Sequence, residues 1–196
     1  MPRPKQRTPE LRDRVLQVAV STLNEGGLSG FTTRRVAEQA GTSVPAVYEL
    51  FGDKSGLLRS VFFEGFRMLC RRLLAVPETD DAVADVQRLI PVFRRFCLDY
   101  PALARVMFSR PFQDFDPDPE ELAASPSVRE IFVSRIKRCT DAGLLTGDPV
   151  DIAHVLLALA QGLAVQEGGR WLGKSKASVN RRWDIGVTAI LRGFAR

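Results

Sequence analysis

Residues 32–57 read TTRRVAEQAGTSVPAVYELFGDKSGL, and this stretch decides the fold. Two short helical patterns flank a tight turn, and a third helix opens at Lys54. Thr32 carries the side-chain oxygen an N-cap needs, and Val36, Ala37 and Ala40 follow at helical spacing on one face. Gly41 suits a sharp left-handed turn, because without a Cβ it takes positive φ at little cost. Ser43 is the next N-cap, and Val47 and Phe51 lie one turn apart on the helix that follows. Helix, turn and helix in this order form the unit that lays its second helix in the major groove of DNA.

Charge placement points the same way. Residues 1–75 hold 12 Lys and Arg against 7 Asp and Glu, whereas 76–196 hold 16 of each. The whole net charge of +5 therefore sits on the segment with the helix-turn-helix, as expected of a phosphate-binding domain.

The same stretch resembles the DNA-binding domain of the TetR family of one-component transcriptional regulators. The shared residues are Thr32, Val36-Ala37, Ala40-Gly41, Ser43, Tyr48, Phe51 and Lys54, in that family's order and spacing. The likeness covers residues 10–60, and PALARVMFSRP (101–111) is similar to a segment of some members. Thr42 stands where a small aliphatic residue is common. Leu50 stands where a His or aromatic often reaches a phosphate, so no contact is carried onto it. The resemblance implies an all-α protein with a three-helix DNA-binding domain over 1–53 and a larger helical effector-binding and dimerisation domain over 54–196. It further implies a ligand-responsive regulator, most often a repressor, that binds pseudo-palindromic double-stranded operator DNA as a homodimer and is released by a small effector.

The expected DNA contacts are Thr32, Arg34, Arg35, Ser43, Val44, Pro45, Ala46, Tyr48 and Lys54. Tyr48 has two readings, as a packed ring or as a ring whose hydroxyl reaches a phosphate, and the resemblance favours the second. Lys54 begins a helix, where backbone N–H groups and the dipole already attract an anion. Thr32 serves as cap and, on the resemblance, as phosphate ligand. Arg34 and Arg35 avoid the apolar face, so either can grip phosphate or fork onto guanine. Val44, Pro45, Ala46 and Glu49 present few hydrogen-bonding groups, and sequence choice should lean on the arginines, with thymine methyls assisting. The tail residues Arg3, Lys5 and Arg7 are either inert or reach along the backbone or into the minor groove.

The rest of the chain reads as helices: 9–25 capped by Thr8 and ended by Gly26-Gly27, 54–75, 81–98, a short one from Pro101, 127–142, 149–167 and 178–194. The helix from Ile152 to Val165 is apolar nearly all round, so one side should face the domain core and another a second subunit. Val179, Trp183, Gly186, Ile190 and Phe194 repeat the pattern on the last helix. The resemblance places a homodimer on these two long helices. Phe66, Phe93, Phe96, Met107, Phe108, Phe112 and Phe115 either line an effector pocket or form core, and their number points to a largely apolar effector. His154, the single histidine, reads as a core or interface residue or as an effector contact, and Arg105 is a candidate for an acidic effector. The acidic, proline-containing segment 114–121 reads as a solvated loop or a lid.

Composition excludes other classes. Cys70, Cys97 and Cys139 are far apart and odd in number, and with one histidine they assemble no metal set and no disulfide framework. No cofactor is expected. No Gly-x-Ser-x-Gly and no phosphate-binding loop is present, which argues against an enzyme. No apolar run suggests a bilayer span and the start lacks a signal core, so a cytoplasmic protein without a membrane partner is expected. A rival reading is a ligand-binding or adaptor protein that keeps the fold without specific operator binding. The apolar recognition helix and Leu50 favour it.

Overall fold

The computed structural model describes residues 8–108 and 127–196. Among them the regular structure is nine α-helices and one isolated antiparallel bridge, between Leu145 and Ala195. The all-α expectation holds. The chain forms two compact units: residues up to Arg67 with 100–108, and Met68–Asp99 with 127–196. The compact units thus cut the chain beyond residue 53, and the start of α4 and all of α6 fold with the helix-turn-helix.

The first unit contains α1 (Pro9–Gly30), α2 (Thr33–Gln39), α3 (Val44–Phe51), the start of α4 (Lys54–Leu74) and α6 (Pro101–Phe108). Thr8 caps α1 by accepting the Leu11 N–H, and Pro9 needs no donor in the first turn. The expected end at Gly26-Gly27 appears as a break: Gly27 takes φ 60° and ψ −169°, and one further turn follows to Gly30. The core of the unit joins Val15, Ala19 and Leu23 of α1 to Val36, Val47, Leu57, Val61 and Leu103. Leu16 and Val20 of α1 are also buried, and Val18 is half-buried. A Cβ on Gly65 would stand 2.6 Å from Met107 Sδ, so the absence of a side chain there lets α4 and α6 approach closely.

The second unit contains α5 (Ala82–Asp99), α7 (Val128–Asp141), α8 (Pro149–Gly168) and α9 (Lys176–Gly193). Its helix α9 begins two residues before the expected Ser178. Ser175 is the cap, and Ser178 completes a reciprocal box with it. Inside lies a polar cluster that no sequence pattern announced. Asp85 is fully buried and accepts from Thr79 N and Oγ1, both at 2.8 Å, from Arg138 Nη1 at 2.7 Å and from Arg88. Arg135, also buried, donates to the Val76 carbonyl at 2.6 Å. The cluster pins the connection 76–79 to α7. A second hub, Glu167, takes both nitrogens of a fork from Arg94 (2.8 and 2.7 Å) and the Trp183 indole N–H (2.8 Å), tying α5, α8 and α9 together.

Helix α8 buries Ile152, Ala153, Leu156, Leu157 and Ala160 on one side only. Its other side leaves Val155 43% and Val165 68% exposed, and Ile185 of α9 is 59% exposed. By length and composition alone α8 is apolar enough to cross a membrane, contrary to the expectation that no apolar run is. Its exposed side, however, also carries Asp151, His154 and Gln166. The chain turns out of α8 at Arg170, whose N–H reaches the Glu167 carbonyl at φ 61°. Glycine usually holds such a position, because a Cβ costs about 1–2 kcal/mol there. Arg170→Gly should therefore raise unfolding stability by about 0.5–1 kcal/mol after glycine's own entropy cost. A fall in stability on urea denaturation would show that the Arg170 side chain outweighs the strain.

Candidate nucleic-acid interface

The local sequence builds the turn bond by bond. Thr32 Oγ1 accepts the Arg35 N–H at 3.2 Å and starts α2. Two crossed bonds stop it, Thr42 N to Ala37 O at 2.9 Å and Gly41 N to Glu38 O at 3.1 Å, with Gly41 at φ 65°. This is the left-handed exit that satisfies the last carbonyls of a helix. Ser43 Oγ then accepts Ala46 N at 3.3 Å, and Pro45 sits in the first turn of α3. Eight residues are too few to hold a helix alone. Burial of Val47 and Phe51 holds α3 in place, at about 2 kcal/mol per side chain. The Arg12 guanidinium covers the Phe51 ring at 5.0 Å.

The outer face of this motif carries most of the expected contacts. Thr32, Arg34, Ser43, Pro45, Tyr48 and Lys54 are exposed, and Val44 and Ala46 are half-buried. Tyr48 is 44% exposed, so its ring is not core. Arg34 pairs with no carboxylate among the described residues. Two positions differ from expectation. Asp53 Oδ1 accepts the Gly56 N–H at 2.7 Å, so the start of α4 already has an anionic cap, and only the exposed Lys54 ammonium adds positive charge there. Arg35 points back to α1, with Nη2 3.2 Å from Glu25 Oε2. The arm residues Arg3, Lys5 and Arg7 lie outside the described residues.

Comparison with known proteins agrees with this geometry. The family model for bacterial regulatory proteins of the tetR family matches residues 15–61, and that for the tetracyclin repressor-like C-terminal domain matches 86–190. The chain belongs to the TetR family. Members of the TetR family are transcriptional regulators that bind DNA and small-molecule effectors and act as dimers, and they are generally not enzymes. The chain is 45% identical over 47 residues to the class C tetracycline repressor protein of Escherichia coli, a stretch that is 24% of this chain and 22% of that repressor. A protein of unknown function from Rhodococcus sp. RHA1 superposes with a TM-score of 0.82 at 25% identity, over 99% of this chain and 100% of the other. A fatty acid degradation regulator from Bacillus halodurans shares the fold at 14% identity, with a TM-score of 0.74 over 97% and 100%.

In this TetR-family chain the aromatic candidates separate into two groups. In the first unit the Phe66 and Phe108 rings meet edge to face at 6.0 Å, and Met107 packs against Gly65. In the second unit Phe93 and Phe96 are fully buried, with the Arg72 guanidinium 5.6 Å over Phe96. His154 is exposed in the single chain, so the core alternative for it does not hold. Arg105 is exposed on α6. Phe112, Phe115 and the acidic segment 114–121 lie outside the described residues. Sequence reasoning missed Arg94 and Glu167, because their pairing depends on helix packing and not on any local pattern. All three cysteines are free and buried, and burial pushes Cys97 up to about 12 and Cys70 up to about 11, far from a reactive thiolate.

Proposed function

We propose that this chain is a ligand-responsive repressor that binds a pseudo-palindromic operator as a homodimer and leaves it when a small, largely apolar effector binds. The observation that carries the reading is the outer face of the α2–turn–α3 motif. Thr32, Arg34, Ser43, Tyr48 and Lys54 are exposed on it, with Pro45, Val44 and Ala46 beside them, while Val36, Val47 and Phe51 are buried beneath. Residues 1–53 supply the DNA-binding domain and 54–196 the effector and dimer domain. Thr32, Ser43, Tyr48 and Lys54 bind phosphate, Arg34 reads a base or grips the backbone, and Val44, Pro45 and Ala46 meet thymine methyls. By linkage, the effector binds the DNA-free form more tightly than the DNA-bound form.

Salt titration of DNA binding tests the phosphate set. Lys54→Ala should lower the slope of log K against log salt by about 0.9. Tyr48→Phe should weaken specific and random DNA alike. An unchanged slope in the lysine variant would remove Lys54 from the interface.

The dimer reading rests on the uncovered faces of α8 and α9, with Val155, Val165 and Ile185 exposed. A second copy buries them in a four-helix arrangement. Ile185→Asp should weaken the dimer about 30-fold or more, as loss of a buried anchor does. Sedimentation showing an unaltered dimer would move the interface elsewhere. The adaptor alternative keeps one observation in its favour: the outer face of α3 has no side chain able to fork onto a base.

A further inference from the structure

We infer that Arg35 is a positioning residue, part of a two-rung clamp that sets α2 on α1 so that Arg34 faces DNA and Arg35 does not. This rests on the DNA-binding reading above. The first rung is half-buried: Thr22, fully enclosed on α1, lies 2.6 Å from Oε1 of the exposed Gln39 on α2 and 2.8 Å from the Val18 carbonyl. The second is the Arg35–Glu25 pair at 3.2 Å. On α1 the anchors are three residues apart and on α2 four, so each helix contributes two side chains from one face. The pairing order, 22 with 39 and 25 with 35, runs the helices antiparallel and fixes the rotation of α2 about its own axis.

Glycines make room for the second rung. Arg35 Nη1 lies 3.1 Å from where a Cβ on Gly26 would stand and 3.6 Å from one on Gly30. The guanidinium therefore rests where the main body of α1 ends at the Gly27 break, the end at which a cation is stabilised by the helix dipole. Arg34, the preceding residue of α2, has no such partner among the described residues and is exposed.

Charge reversal separates positioning from contact. Binding to the selected operator, and its salt dependence, would be measured for Arg35→Ala, Arg35→Glu and the swap Glu25→Arg with Arg35→Glu. Arg35→Ala should weaken binding about threefold to fivefold, the scale of an exposed pair, with the salt slope unchanged. Arg35→Glu alone should be worse, and the swap should return to within about twofold of the native protein, although position 35 is now acidic. A swap no better than Arg35→Glu, or a slope lower by about 0.9 in Arg35→Ala, would place Arg35 on DNA and overturn the clamp. If the native protein selects no operator, the regulator reading fails. A thermal-melting cycle on Glu25→Ala and Arg35→Ala then decides the clamp: coupling of about 2 °C supports it and strict additivity refutes it.

Discussion

Asp85→Ala is expected to destabilise the second unit by about 3 kcal/mol, the low end of the cost of leaving a buried charge without its partner. The side chain is fully buried and holds Thr79, Arg88 and Arg138 at once. Arg88 and Arg138 are partly exposed and can turn to water when it is removed. Arg135 cannot, because only 6% of its side chain is exposed. It would keep the Val76 carbonyl and the half-exposed Glu78 but lose the nearby buried anion. Asp85→Asn should cost less, since an amide oxygen can still accept the Thr79 N–H. Urea unfolding followed through buried Trp183 measures both. A loss under about 1 kcal/mol for the alanine variant would mean the cluster behaves like a set of surface pairs.

Gly56→Ala is the second large effect, and it acts on DNA binding. A Cβ on Gly56 would lie 3.2 Å from the Phe51 carbonyl carbon and closer still to its oxygen. Backbone cannot swing aside as a side-chain tip can, so about 3 kcal/mol of strain is expected, the upper part of the usual overpacking range. Relief requires the end of α3 to move away from the start of α4, and α3 carries Val44, Pro45 and Ala46, proposed above to meet thymine methyls. The variant should melt earlier and, while still folded, lose operator selectivity more than its affinity for random DNA. Full selectivity together with native stability would show that the junction relaxes without moving α3.

What the sequence made legible is what local chemistry decides. The caps at Thr8, Thr32 and Ser43, the turn at Gly41 and the buried pair Val47 and Phe51 each follow from a residue type at a fixed spacing, and the structure realises all of them. Contacts that depend on how helices cross were not legible. Arg34 and Arg35 are alike in sequence, and only the placement of α2 on α1 gives Arg35 a partner in Glu25. Asp85 and Arg138 are 53 residues apart, and no pattern of spacing brings them together. The exit from α8 misleads locally too: Gly168 and Gly169 precede the turn, yet Arg170 takes the left-handed position. For α8 itself, composition suggested a helix apolar nearly all round, and the fold shows that its own core covers one side while Val155 and Val165 stay exposed on the other beside Asp151, His154 and Gln166.

Selection from fragmented DNA of the source organism tests the central claim most directly. The purified protein is incubated with the fragments at near-physiological salt, and the bound fraction is recovered and sequenced. The account predicts one enriched pseudo-palindrome whose half-sites lie about one helical turn, or a whole multiple of it, apart. Recovery of fragments with no shared sequence, released together as salt rises, would contradict the repressor and leave a protein that keeps the fold without an operator.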